Sequence, residues 1–498
     1  MDRRRMLTLG GLAAGGVAVL SSAVSVNAAF GGKDRTAARH AQGDAHGEPH
    51  GDRADAPKVA AAPPVAPFSV AMPVPPVLRP THVGATSDLY QLPVRAATVE
   101  ILPGLATPIV GYHGQFVGPT IRARKGRAVA LQVTNQLTNP TNVHLHGGFT
   151  PAVHDGHPMD FIAPGATRSY AYPNLQHAAT LWYHDHSHHA EAEHIYRGLH
   201  GFYLIEDDAE KALGLPSGQY DIPILLRDAL IGVDGSLVFD PADGGNRPHI
   251  LANGKPQPYL RVTARRYRFR LLNGSLHRIF RLRLDRGQLI QIGSDGGLLP
   301  APVAVSEIKL TPGERVEVVV DFAGQPAGTR VVLEDTSGPV VGFDVTGPAT
   351  DPSRVPDRLI PLPALPAATV TRDIALSFDP SKLAFTVNGK TYDATRVDAQ
   401  VVNGTTEIWR VTNRDTAFGI DHNFHLHLVQ FRLLDRDGVP PAPGEAGWKD
   451  TVHVPPGSTV RVQATFSGFT GKYAFHCHFP EHSSLGMMAQ FEVVNRTA

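Results

Sequence analysis

Near its C-terminal end the chain reads His476-Cys477-His478-Phe479-Pro480-Glu481-His482, with Met487 shortly after, and Cys477 is the only cysteine. A thiolate, imidazoles and a thioether are the ligands copper prefers, with Met as a weak axial contact. Tyr473-Ala474-Phe475 and Phe479 favour an extended strand. In a strand, residues i and i+2 share a face and i+1 points the other way. His476 and His478 would then reach one metal site and Cys477 another, one covalent step apart. Taken alone, the stretch also fits an inert cysteine among core histidines, so partners elsewhere decide.

Three segments offer partners. They are Asn142-Val143-His144-Leu145-His146-Gly147-Gly148, Leu181-Trp182-Tyr183-His184-Asp185-His186 and Asp421-His422-Asn423-Phe424-His425-Leu426-His427. Each contains His-x-His in a strand-like context, which puts both imidazoles on one face. His422 has the opposite parity to His425 and His427, so it falls on the side of Cys477. One such pair could be a core accident; the repetition points to metal.

The elements that must carry these residues are β. Gly (49) and Pro (42) punctuate short alternating runs such as Ala128-Val129-Ala130-Leu131-Gln132-Val133, and 498 residues suffice for about three domains. The runs divide into β-sandwich blocks at 67–212, 213–350 and 369–498, with a Pro-rich join at about 348–367. The middle block has no His-x-His and reads as structural. With 46 basic and 46 acidic residues the net charge is zero. That leaves no basic field for nucleic acid or an acidic membrane. A single cysteine excludes an internal disulfide, and in an exported chain a metal bond would keep it from reacting.

Met1-Asp2-Arg3-Arg4-Arg5-Met6-Leu7, an apolar run to about Val24 and Ser25-Val26-Asn27-Ala28 predict a twin-arginine-like signal over 1–28. The run is short and diluted by glycine for a stable membrane span. The mature protein is therefore expected to be periplasmic or extracellular and to lack one. Residues 29–66, rich in Ala, Gly, Asp, His and Pro, predict a disordered leader, whose His40, His46 and His50 could bind copper loosely but read better as part of a solvated linker.

In their order and separation, the four motifs resemble a three-domain multicopper oxidase of the laccase type, from about residue 85 to the end. Leu145-His146-Gly147-Gly148 and Trp182-Tyr183-His184-Asp185-His186-Ser187 are most similar to the bacterial spore-coat laccase and phenoxazinone synthase branch. The stretches Arg268–Gly274, Pro312-Gly313-Glu314-Arg315 and Trp448-Lys449-Asp450-Thr451-Val452 belong to the same likeness. The resemblance implies an all-β fold of three consecutive cupredoxin-like Greek-key β-sandwich domains. It implies four coppers per chain: one type 1, one type 2 and two type 3. His422, Cys477 and His482 would hold type 1, with Met487 as long axial ligand and a low-to-middle potential. His144 and His425 would hold type 2, and His146, His184, His186, His427, His476 and His478 the type 3 pair. Electrons would leave a phenol, an aromatic amine or a metal ion at type 1 and pass through Cys477 to His476 and His478. O₂ would be reduced to water at the other three coppers.

Asp155, in His154-Asp155-Gly156-His157, stands where bacterial relatives place a proton-supplying acid; a turn-capping Asp is its plainer reading. Ser483 departs from the pattern, because many relatives carry Glu directly after the histidine matching His482. His188, His189 and His194 could form an added surface copper site, but such residues are more often solvated, and they are left out of the ligand set. A metal-ion oxidase for Cu(I), Fe(II) or Mn(II) is the rival within the family, although only Met72, Met159, Met487 and Met488 lie beyond the signal and a Met-rich insert is lacking. A non-catalytic scaffold would have lost ligand positions that this chain keeps. A copper nitrite reductase would need a trimer to complete its site.

Overall fold

A computed structural model describes residues 60–241 and 245–496. Alternation in sequence becomes alternation in burial: Ala128–Asn135 buries every second residue. Six sheets pair into three sandwiches. The first joins a five-stranded sheet (His82–Val83, Ser87–Glu100, Ala106–Tyr112, Ala128–Asn135, Thr167–Tyr172) to a four-stranded one (Gly118–Arg124, His144–His146, Ala179–His184, His200–Glu206). The second has seven and five strands, the third six and five.

Each sandwich contains one parallel strand pair in each of its sheets. In the first these are Ser87–Glu100 with Ala128–Asn135 and Gly118–Arg124 with His200–Glu206. In the second they are Asp221–Ala229 with Arg266–Asn273 and Tyr259–Ala264 with Gly338–Pro348. In the third they are Val370–Asp379 with Thr405–Asn413 and Ala399–Val402 with Met488–Val494. Parallel neighbours need crossovers between sheets, so the same Greek-key path is threaded three times. Between the sheets of the third sandwich, Trp409, Phe424, Phe475 and Phe491 interlock, Trp409 edge-on to Phe475 at 5.0 Å.

The chain departs from expectation at its start. The signal and most of the leader lie outside the described residues, but residues 60–66, expected to be disordered, are ordered. Ala62 is buried and its N–H donates to the Ile231 carbonyl at 2.7 Å. Ala61 bridges Gly232, and Val65 packs on the same apolar cluster. The next residues, assigned from sequence to the first sandwich, run along the second: Ala71 pairs with Tyr259 and Met72 is buried in the second core. Composition hid this, because a few small apolar residues suffice once a strand edge pairs with them. No helix among the described residues is long and apolar enough to cross a membrane.

Arg315 ties the three sandwiches together. It is fully buried; Nε donates to the Thr180 carbonyl of the first sandwich, and Nη1 and Nη2 form a fork on Asp450 of the third at 2.7 and 2.6 Å. Lysine could keep the charge but not the fork. Arg315→Lys should therefore destabilise the metal-free protein by about 1.5–3 kcal/mol, read as a lower denaturation midpoint; an unchanged midpoint would remove this role.

Candidate metal centre

The two outer sandwiches bring the histidine motifs together. His144–His146 runs antiparallel to Ala179–His184, with His144 opposite His184. In the third sandwich His422–Leu426 lies beside Gly471–His476, with His425 opposite His476. The two sets meet face to face: His146 stacks on His425 at 3.7 Å and His144 on His427 at 3.9 Å. The strand itself ends at His476, yet the alternation predicted for Cys477 persists beyond it.

Donor atoms converge, within 4.8 Å of one another, in His144–His146–His425, in His146–His184–His478, in His186–His427–His476 and, separately, in His422–Cys477–His482. Cys477 Sγ lies 3.7 Å from His422 Nδ1 and 3.6 Å from His482 Nδ1. Met487 is fully buried in the same turn, its carbonyl accepting from Cys477 N–H and its N–H donating to the His482 carbonyl. The donor atoms of His476 and Cys477, and of His422 and His425, fall into different groups, as their strand parity suggests, while His482, expected only from the resemblance, joins Cys477. The rings of His188 and His189 meet at a tilt, 3.7 Å apart, and His194, expected to be solvated, is instead buried with Nδ1 3.1 Å from Asp185 Oδ1.

Backbone and carboxylate oxygens fix the rings. His184 Nδ1 donates to the Asp185 carbonyl at 2.8 Å, His425 Nδ1 to the Asp450 carbonyl at 2.8 Å and His476 Nδ1 to the Cys477 carbonyl at 3.0 Å. His144 Nδ1 donates to the Asp155 carbonyl at 2.6 Å, and His146 Nε2 to Asp450 Oδ1 at 2.9 Å. The second nitrogens of His144, His146 and His425 are buried without a protein partner. His427 Nε2 lies 3.2 Å from His476 Nε2, and His478 Nε2 3.4 Å from His184 Nε2. In His144, His146, His184, His425, His427 and His476 one nitrogen is anchored and the other is aimed at its neighbours, the arrangement of histidines around a metal, whereas His478 Nδ1 and both nitrogens of His186 have no hydrogen-bond partner. Burial holds these imidazoles well below their ordinary pKa, hence neutral with a lone pair to offer, His476 at about 4. Burial pushes the Cys477 thiol up to about 12, so a metal binding there must displace its proton. The donor set therefore fits copper.

Asp155 does not merely cap a turn. Its Oδ2 accepts from His427 Nδ1 at 2.7 Å, across the junction of two sandwiches, while Oδ1 has no hydrogen-bond partner. Burial raises this carboxyl well above the usual range. Gly156 makes the approach possible: at φ +75° it lies so close to Val143 that a Cβ would sit 2.0 Å from the carbonyl oxygen.

Sequence reasoning missed four residues here. Asp450 orients His146 and is gripped by Arg315. Asn423 accepts from His478 N–H at 2.5 Å and from the Cys477 thiol at 3.6 Å, while its Nδ2 donates to the Pro312 carbonyl at 2.8 Å. Glu191 lies 3.2 Å from His186 Nδ1. A polar Asn inside an apolar strand and an acid within Trp448-Lys449-Asp450-Thr451 were the available signals; Glu191 had none.

Known proteins agree with this geometry. Multicopper oxidase family models match residues 93–210 and 365–497. The chain is 34% identical to a laccase of Bacillus subtilis (strain 168) over 86% of its length and 98% of that protein. It is 35% identical to a bilirubin oxidase of Albifimbria verrucaria, over 85% and 81% respectively. The crystal structure of a laccase from Pediococcus acidilactici Pa5930 superposes with a TM-score of 0.82 at 33% identity, covering 88% of this chain and 95% of that one. With its histidines and its one thiol gathered as that family needs them, the chain belongs to the multicopper oxidases as a bacterial laccase-like member, a copper-dependent oxidoreductase that uses O₂ as acceptor.

Proposed function

We propose that the chain holds four coppers and oxidises small aromatic donors. His422, Cys477 and His482, together with Met487, would hold the type 1 ion. His144 and His425 would hold type 2, and His146, His184 and His478 with His186, His427 and His476 the type 3 pair. The observation that carries this reading is the Cys477 thiol in one donor group with its two chain neighbours, His476 and His478, in the other. Bound copper supplies the redox chemistry, one-electron uptake from the donor and four-electron reduction of O₂ to water. The chain supplies the rest. Asn423 pins the Cys477–His478 step from both sides. Asp155 anchors His427 through Oδ2 and His144 through its carbonyl, and its unpartnered Oδ1 is placed to give a proton beside the cluster.

An aromatic donor is favoured by the surroundings of His482. Phe385 stacks on it at 4.0 Å, Phe378 packs on Phe385 at 4.9 Å, and Phe418, 5.8 Å further out, is 57% exposed. The acids that would draw a metal ion are engaged. Asp415 accepts from His422 Nε2 and from Phe378 N–H, and Glu481 is paired with Arg247. The Arg3-Arg4 start supports export to the periplasm or cell exterior.

Metal analysis with the visible spectrum, then oxygen uptake on phenols, aromatic amines and bilirubin-type pigments beside Fe(II), Mn(II) and Cu(I), tests the reading. Four coppers, a blue band and faster turnover on the organic donors are expected. Turnover confined to a metal ion would replace the donor assignment, and a colourless, copper-poor protein would overturn the site.

A further inference from the structure

Ser483 follows His482 in the short helix Pro480–Ser484, where the resemblance leads one to expect Glu. Its hydroxyl is buried and donates to Glu191 Oε2 at 2.7 Å, as well as approaching the Pro480 carbonyl at 3.1 Å. Glu191 opens the helix Glu191–Arg197 of the first sandwich and is 2% exposed. Its other oxygen, Oε1, lies 3.2 Å from His186 Nδ1, and both atoms are buried without a hydrogen-bond partner, so a small turn of the ring would pair them. The two helices are tied again one residue further on, where Ala192 N–H meets Ser484 Oγ at 3.3 Å. A carboxylate buried this deeply is costly unless hydrogen bonds are donated to it. A hydroxyl serves one oxygen here, and the His186 imidazole stands 3.2 Å from the other.

We propose that Glu191 is the positioning carboxylate of His186. It accepts the Nδ1–H, fixes the tautomer that leaves the lone pair on Nε2, and is itself held by Ser483. The acid absent after His482 is thus met by one from another sandwich, joined to it through Ser483. The inference rests on reading His186 as a metal ligand. It adds that this ligand's orientation depends on a helix of the first sandwich and on the turn that bears His482.

The test compares Glu191→Ala, Glu191→Gln and Ser483→Ala in the full chain. Readouts are copper retained per chain against a competing chelator, blue absorption, and the unfolding midpoint of the metal-free protein. Loss of an outer carboxylate typically weakens metal binding about 10–100-fold. Glu191→Ala should lose copper at chelator concentrations that native protein withstands, while its blue band persists. Glu191→Gln, whose amide oxygen can still accept from Nδ1–H, should resemble native protein more than Glu191→Ala, and Ser483→Ala should fall between. Native-like copper retention in Glu191→Ala overturns the proposal. So does Gln behaving as badly as Ala, or blue band and copper falling together with a lowered metal-free midpoint, which would mark a packing role. If Glu191→Ala does not fold, a Ser483→Ala variant with native copper retention overturns it as well. Failure of the native chain itself to bind copper would instead sink the reading of the site.

Discussion

Cys477→Ser should bleach the protein and bring oxygen consumption down to the level of buffer. The thiol is fully buried, is the one thiol in the sequence, and converges with His422 and His482. A serine hydroxyl at that place is a hard, weakly acidic donor. It would leave the pair of imidazoles without the thiolate that gives a blue copper site its colour and affinity. The fold should survive. The hydroxyl can still donate to Asn423 Oδ1, which the thiol already approaches, so the cost in stability should stay at or below about 1–3 kcal/mol. Copper should fall by one per chain, because the histidine groups of the cluster do not use the sulfur. Spectrum, copper count and oxygen electrode separate these effects. Oxygen uptake at the native pace in a colourless variant would falsify the route through Cys477.

The sorting of ligands into two centres was legible because it needs only a period of two. His476 against Cys477, and His422 against His425, follow from which side of a strand each residue faces. The sandwiches were legible for the same reason, as in Ala128–Asn135. What escaped was set by contacts distant in the chain. Arg315 meets Asp450 from another sandwich, and Glu191 meets Ser483 across 292 positions, with no periodicity to announce either. Residues 60–72 were misplaced because strand pairing with Ile231 and Tyr259, rather than their own composition, orders them. Asp155 was legible as a position but not as a contact: only the fold shows that its carboxylate passes over its own turn to reach His427.

That contact makes Asp155→Asn the more discriminating substitution. Asparagine can keep its oxygen toward His427 Nδ1, and the Asp155 carbonyl still receives His144 Nδ1, so both rings should stay in place. What is lost is the acid at Oδ1, the one carboxylate oxygen in the contact with no partner of its own. Removing a placed general acid costs about 10²–10⁴-fold in rate. The loss should fall on a single half of the cycle. Reduction of the blue centre by an anaerobic donor should run at the native rate, since His422, Cys477 and His482 are untouched. Reoxidation by O₂ should slow by the full factor, so the blue band of the variant stays bleached during turnover. Stopped-flow traces of the two half-reactions read this directly. Equal slowing of both would mean that Asp155 holds the junction of the two sandwiches together, and native reoxidation would mean that the protons come from elsewhere. An Asp155→Ala variant, which also releases His427, should add loss of copper to the slow reoxidation, and that difference separates giving a proton from holding a ring.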